Sequence, residues 1–269
     1  MGAVLARPVR LSVGAVARML RLHELGAPQM VIQPVATWEE PNHDVDSDSD
    51  SDAAAWAEFA TAGLVDRPGQ LAAQVVDVLA VLSQASVEYF GWLSTDSGHT
   101  GGMLVAAGGQ HAVYVVRRRD RLRLASIATT GLVEAFVDSL SGPAPARIDA
   151  VNIRTGDLHG IDLHGVDNLH GVDPSLVTDE LLPALPSGTR DVAAARALLA
   201  RPVTGLGELY VAARDQRGRY RVSEQPVRYR DTAAGRVMII MSGDHISIAP
   251  GTNAVLTERL RRVYQEVAG

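Results

Sequence analysis

A chain of 269 residues, 46% of them apolar, is long enough to bury the core of one large or two small globular domains. It contains no cysteine and no lysine, which excludes disulfides, thiolate metal sites, a cysteine nucleophile and lysine-based chemistry. The net charge of −6 argues against a general affinity for nucleic acid, and no apolar run approaches the ~20 residues that span a membrane, so we expect a cytoplasmic protein without membrane insertion.

The start of the chain predicts two helices separated by a strand and an acidic loop. Ser12 is a good N-cap for an amphipathic helix, whose apolar positions are Val13, Val16, Met19 and Leu20. Residues 30–36 have the pattern of a strand. The acidic run at 42–52 lacks the Gly and Glu that an EF-hand loop requires, so we predict a solvated, mobile loop insertion without calcium. A second helix is predicted over residues 53–62.

The next stretch predicts a helix, a meander of strands and a closing helix. The first helix covers residues 71–82, and Thr129 or Thr130 is expected to cap the closing helix, which ends near Leu140. The strands between them are predicted over residues 86–94, 103–107, 112–116 and 122–127.

The end of the chain repeats this plan. A helix is predicted over residues 190–199, and Thr252 is the expected N-cap of a last helix with one apolar stripe. The strands between them are predicted over residues 203–214, 219–224, 227–229, 236–241 and 246–248.

Aligning the two closing helices at Thr129 and Thr252 pairs Leu132 with Val255 and Val137 with Leu260. These matches indicate an internal duplication. We therefore predict an α+β fold of two halves, about 1–145 and 174–269, related by an approximate two-fold axis. Residues 146–153 are expected to form an edge or linker strand between the halves.

A short repeat in the linker carries His159, His164 and His170, each followed by glycine. Histidine and aspartate together suit zinc, but spacings of this kind match no zinc motif. We predict a loop insertion over residues 156–173, with no metal site. A helical run is predicted to follow from Pro174 to Leu182.

No catalytic signature is present: the chain has no HExxH, no GxSxG and no GxGxxG after a strand. The densest basic segment is Arg117–Arg123, at a predicted hairpin turn. It leaves one alternative function open, namely an anion- or nucleotide-binding module or enzyme built on these arginines.

Five segments occur in a characteristic order and spacing: GLVD at 63–66, RGRYRV at 217–222, PVRYRDT at 226–232, GR at 235–236 and ISIAPGT at 246–252. Together they resemble the EspG family of type VII secretion. The resemblance implies one EspG-like domain over 1–269, with a central antiparallel twisted sheet and helical bundles. It also implies a non-catalytic, cofactor-free cytoplasmic chaperone of actinobacteria.

The partner that the resemblance implies is a PE–PPE heterodimer, bound through its PPE subunit, kept soluble and targeted for export. When free, the chaperone is expected to be a monomer or weak dimer. The polar positions of two neighbouring predicted strands are expected to form an exposed, partner-binding sheet face, because Tyr and Arg are common where interfaces are energetically dense. These residues are Glu208, Tyr210, Arg214, Arg219, Arg221 and Ser223.

Overall fold

An antiparallel sheet forms the centre of the fold. The computed structural model describes residues 5, 7–34, 45–95, 100–158, 189–215 and 217–269. The strands are β1 (Val9–Ser12), β2 (Val65–Arg67), β3 (Gln70–Leu71), β4 (Val87–Thr95), β5 (Thr100–Gly108), β6 (His111–Arg118), β7 (Arg121–Ser126), β8 (Val151–Arg154), β9 (Val203–Arg214), β10 (Tyr220–Val222), β11 (Val227–Thr232), β12 (Gly235–Ser242) and β13 (His245–Pro250). The helices are α1 (Val13–Leu22), α2 (Val45–Thr61), α3 (Ala73–Gln84), α4 (Leu132–Asp138), α5 (Thr189–Leu199) and α6 (Asn253–Ala268), with 3₁₀ helices at Met30–Ile32 and Thr155–Leu158.

The strand order repeats one plan on each side of a central seam. Across the sheet the strands run β1-β7-β6-β5-β4-β9-β11-β12-β13-β8, and β10 pairs with the end of β9. At the seam β4 pairs antiparallel with β9, with Phe90 opposite Tyr210. Each half contributes a helix, a four-stranded meander and a closing helix. This topology confirms the α+β prediction and is that of two halves related by an approximate two-fold axis at the seam.

We call the side of the sheet under α4 and α6 the front face. The two closing helices lie together there over one apolar cluster, whose members include Tyr89, Met103, Leu209, Val211 and Met238. Val137 and Leu260 are fully buried, whereas Leu132 and Val255 are partly buried. The prediction that both helices pack on one sheet is therefore confirmed, with the first pair nearer the edge of the layer.

The opposite side, the back face, is covered by two separate groups of helices. Helices α1, α2 and α3 pack over the first half on a cluster that includes Phe90, Leu104 and Val113. Helix α5 packs over the outer end of the second half, on Ile153, Val237, Ile246 and Ile248. Between these two groups lies the seam of the sheet.

Two predicted helix starts are confirmed and one is wrong. Ser12 and Thr252 each accept a hydrogen bond from a backbone N–H three residues later, both at 3.1 Å. Neither Thr129 nor Thr130 caps α4. That helix follows Gly131, whose φ of 69° is left-handed and which makes no side-chain cap.

The acidic loop and the strand near residue 30 also need correction. Helix α2 begins at Val45, so residues 45–52 of the predicted loop are helical. Acidic residues stabilise the first turns of a helix, and Asp52 is also paired with Arg18 of α1. The rest of that loop, at 42–44, lies outside the described residues.

The segment predicted as a strand over 30–36 is instead a 3₁₀ turn over its described part. The side chain of Gln29 accepts from the Val31 N–H at 2.7 Å. The buried Arg117 side chain donates to the carbonyls of Val31 and Gln33, at 2.8 and 2.6 Å. These bonds occupy the backbone groups that a neighbouring strand would need. Of the predicted edge strand at 146–153, only residues 151–153 are in a strand, as part of β8. The predicted loop insertion at 156–173 starts within the 3₁₀ helix Thr155–Leu158. Its remainder, with the three histidines, and the predicted helix at 174–182 lie outside the described residues.

Candidate partner-binding surface

The seam carries a row of polar and aromatic side chains on the back face. Helix α3 packs on β5 and β6, and α5 packs on β8, so the described helices flank β4, β9 and β11 on this side. We call this region the central back surface. It consists of Glu88, Trp92, Glu208, Tyr210, Arg214, Tyr220 and Arg228.

Glu208 and Arg228 form an ion pair across β9 and β11. The Arg228 Nε lies 3.0 Å from Glu208 Oε1, and the two residues are directly opposite in the register. The Glu208 side chain is 5% exposed and that of Arg228 17%. A buried carboxylate needs such a partner, since unpaired it would be costly to keep out of water.

Tyr210 stacks on Phe90 at the seam. The ring centroids are 5.4 Å apart with an interplanar angle of 14°. Burial, followed by the nearby Glu208 carboxylate, raises the pKa of Tyr210 to about 12, so the phenol keeps its proton at neutral pH. Its ring is half-buried, and its hydroxyl lies 3.4 Å from Glu208 Oε2.

A second carboxylate, Glu88, links β4 to β10. The Tyr220 hydroxyl donates to Glu88 Oε2 at 2.7 Å, and Arg214 lies over the Tyr220 ring at 5.1 Å. Burial raises the pKa of Glu88 above its ordinary value, although the hydrogen bond from Tyr220 acts in the opposite direction. Tyr220 remains 43% exposed and Val222 39%, so this end of the surface presents an aromatic ring and an aliphatic side chain to solvent.

Three of the six predicted site residues lie on this surface, namely Glu208, Tyr210 and Arg214. The other three do not join them. Arg219 lies in the turn before β10, paired with Asp215 at 2.9 Å. Arg221 is exposed and pairs in register with Ala213, whose side chain belongs to the front cluster. Ser223 is buried and accepts a hydrogen bond from the Val211 N–H at 3.2 Å.

The prediction that Arg219, Arg221 and Ser223 share a face with Tyr210 is therefore wrong. The hairpin register places Tyr220 opposite Arg214 and Val222 opposite Ala212, so these two residues occupy the back face instead. A shift of one residue in register exchanges the two faces of a strand. The sequence of the 215–219 turn did not reveal which of the alternating residues of β10 face the back of the sheet.

Four members of the surface were missed from the sequence: Glu88, Trp92, Tyr220 and Arg228. Glu88 and Trp92 come from the first half and join the surface only through the β4–β9 pairing, which places them opposite Ala212 and Glu208. The one available signal was a charged residue inside the apolar strand at 86–94, because a charge at such a position is rarely buried without a partner.

The arginines at 117–123 do not form one site. Arg117 is buried and donates to three backbone carbonyls, those of Val31, Gln33 and Arg119. Arg118, Arg121 and Arg123 are exposed on the front side of β6 and β7. Because Arg117 is held by these backbone carbonyls, it is not available to an anion. The structure therefore does not support an anion site that uses the whole cluster.

The model of the EspG family matches residues 14–262 of the chain. The chain belongs to the EspG family. This EspG-family chain also shares its fold with the type VII secretion system chaperone EspG5 of Mycobacterium tuberculosis, whose structure was solved in complex with the PE25–PPE41 dimer. The TM-score is 0.64 and the identity 14%, over 98% of this chain and 97% of that chain. A search of curated proteins gives no match.

Two further features bear on what this EspG-family chain can do. Within the described ranges, no helix combines the length and apolar character that crossing a bilayer requires. The same residues include no group of three or more His, Asp or Glu side chains placed to hold a metal ion.

Proposed function

We propose that the chain is a non-catalytic chaperone of type VII secretion that binds a PE–PPE heterodimer. The observation that carries the proposal is the family match over residues 14–262, supported by a fold shared with a chaperone captured on a PE–PPE dimer. In this role the protein acts in the cytoplasm, keeps its substrate soluble and presents it for export. It is a monomer or weak dimer until the substrate binds.

The central back surface is the part of the sheet that suits this role. On the front face, α4 and α6 bury the apolar side chains of the seam. On the back face the seam offers the Glu208–Arg228 ion pair, the half-buried Tyr210 and the exposed Tyr220 and Val222. A rigid aromatic group beside paired charges is typical of the centre of a protein interface. We assign the PPE subunit to this surface.

Co-expression tests the function itself. The chain, tagged, is produced with the PE and PPE proteins encoded beside it, and the complex is isolated by affinity and size-exclusion chromatography. A complex of one chaperone with one heterodimer is expected. A free protein that ignores the heterodimer and binds heparin or nucleotides would contradict the proposal and support an anion-binding function.

The subunit and the surface need a second experiment. A photocrosslinking amino acid is placed at position 222, which adjoins the central back surface on the same face, and, as a control, at position 154 on the β8 edge. Crosslinks from position 222 to the PPE subunit are expected, with none from position 154. Crosslinks to PE, or equal yields from both positions, would refute this assignment.

A further inference from the structure

Four exposed arginines cluster on the front face at the β1 end of the sheet. Arg10 lies directly opposite Arg123, and Arg118 lies directly opposite Arg121. Opposite residues on neighbouring strands have Cβ atoms roughly 5 Å apart and point to the same face. The cluster lies on β1, β7 and β6, which are five, four and three strands away from β9, or about 24 to 14 Å at the usual strand spacing, and it faces the opposite side of the sheet. It is therefore separate from the central back surface.

This arrangement costs stability. Like charges directly opposite one another in an antiparallel pair are destabilising. Among the described residues, two carboxylates form ion pairs with the cluster, both with Arg121: Glu58 at 2.8 Å and Asp120 at 3.8 Å. Arg10, Arg118 and Arg123 have no ion pair with any described residue. In a chain of net charge −6, this is a local reversal of charge.

A groove of about 600 Å³ adjoins the cluster. It runs between β1 and the C-terminal half of α2. Its charged lining residues are Arg7, Arg10, Arg121 and Glu58, and the remainder are small or aliphatic. The groove therefore has a strongly basic wall beside an edge strand.

Among the described residues, no strand pairs with the outer edge of β1. The Ser12 N–H points away from β7 and donates to Glu58 Oε1 at 2.7 Å, whereas the Val13 N–H points inward, to the Asp120 carbonyl. Backbone groups alternate in direction along a strand, so those of Arg10 point outward into the groove. An exposed edge of this kind accepts an added strand through main-chain hydrogen bonds.

We propose that this groove binds an acidic, extended segment of a protein partner, which pairs with β1 at Arg10. Carboxylates of the segment meet Arg7, Arg10 and Arg121 along the groove, and those on its front side meet Arg118 and Arg123. The planar guanidinium group matches a carboxylate with two parallel hydrogen bonds. A bound acidic segment also removes the repulsion among the four arginines.

The geometry favours a peptide over a nucleic acid or a membrane. The groove is lined by no aromatic residue on which a base could stack. The open strand edge recognises an extended backbone, which neither nucleic acid nor lipid supplies.

The test uses a fluorescein-labelled decapeptide of alternating Glu and Thr, with the matching Gln–Thr peptide as a control. Fluorescence anisotropy at low salt is expected to show binding of the Glu peptide alone. Arg10→Glu and Arg123→Glu should each weaken it about tenfold, as expected for the loss of a close charge pair. Arg154→Glu, an exposed arginine on the edge strand at the other end of the sheet, should leave affinity unchanged.

Two further readouts separate the proposal from simple charge attraction. Arg123→Glu places opposite charges face to face with Arg10, so its Tm should rise while peptide binding falls. Hydrogen exchange at the Arg10 amide should slow when the Glu peptide is added.

Equal binding of the Glu and Gln peptides, or unchanged affinity in Arg123→Glu, overturns the proposal. If hydrogen exchange at the Arg10 amide does not slow in the complex, the proposed strand pairing is wrong. Tighter, Arg123-dependent binding of single-stranded DNA or phosphatidylserine vesicles overturns the choice of a peptide.

Discussion

The two halves of the sheet repeat one topology but differ in what their back faces carry. In the first half, α1, α2 and α3 bury the back of the sheet in an apolar cluster around Phe90 and Leu104. In the second half, α5 packs near the outer edge, and β9 and β11 carry the Glu208–Arg228 pair beside Tyr210. The back face of the first half is thus apolar and covered by helices, whereas that of the second half carries charged and aromatic side chains beside the seam. Substitutions on the two sides of the seam test this difference.

The largest effect is expected at a buried ion pair on the front face of the second half. Arg236 binds Asp231 through two bonds, at 2.7 and 2.9 Å, and lies over the Tyr229 ring at 4.1 Å. Both charged side chains are less than 10% exposed. Arg236→Ala leaves Asp231 buried without its partner and should cost about 3–5 kcal/mol in urea unfolding.

The control for this prediction is Arg219→Ala. Arg219 also pairs with an aspartate, Asp215, but its side chain is 69% exposed. Water screens an exposed pair, so little change in the free energy of unfolding is expected. Equal losses in the two variants would show that burial does not decide the effect.

The seam offers one aromatic residue from each half for direct comparison. Phe90 is fully buried in the first-half cluster, whereas its stacking partner Tyr210 is half-buried. Phe90→Ala should cost about 3–4 kcal/mol of unfolding free energy because it leaves a cavity. Tyr210→Ala should cost clearly less and should also weaken PE–PPE binding. Urea unfolding measures the stability of both variants, and calorimetry measures the binding of Tyr210→Ala.

Neighbouring residues of β10 can show which face of the second half binds the partner. Tyr220 lies on the back face and Arg221 on the front side. Tyr220→Ala should weaken PE–PPE binding by about 1–2 kcal/mol, the range of a moderate interface anchor, with Arg221→Ala close to the parent. A larger loss of affinity in Arg221→Ala than in Tyr220→Ala would show that the partner binds the front of the sheet. Isothermal calorimetry gives both affinities.

The smallest effect is expected from the protonation of Glu88. Burial raises the pKa of its carboxyl above the ordinary value of 4.5. Between the ordinary and the raised pKa the folded state holds more protons than the unfolded state, so stability falls as pH rises through this window. Glu88→Gln should flatten the dependence of Tm on pH above 4.5. Glu224→Gln, at an exposed carboxylate, is the control and should follow the parent.

The sequence predicted the strands better than their mutual arrangement. Period-two alternation and clear turns located the meanders, and Thr252 gave the start of α6 correctly. Gly207 also had a structural meaning that the sequence could not show, since a side chain there would collide with the Tyr229 ring. The sequence predicted only part of the central back surface. Glu208, Tyr210 and Arg214 alternate on one strand, but Glu88 and Trp92 reach them only by long-range pairing.

The central seam also governs the order in which the chain can fold. Strands β4–β7 pair with their neighbours in sequence, as do β11–β13. The seam joins Phe90 to Tyr210, roughly 120 residues apart, and such distant contacts form slowly because a large loop must close first. During synthesis the first meander and its three back-face helices emerge and pair before β9 exists. The strand that carries Glu208 and Tyr210 is therefore added to a sheet that is already formed. Until then, the β4 edge of that sheet has no partner strand.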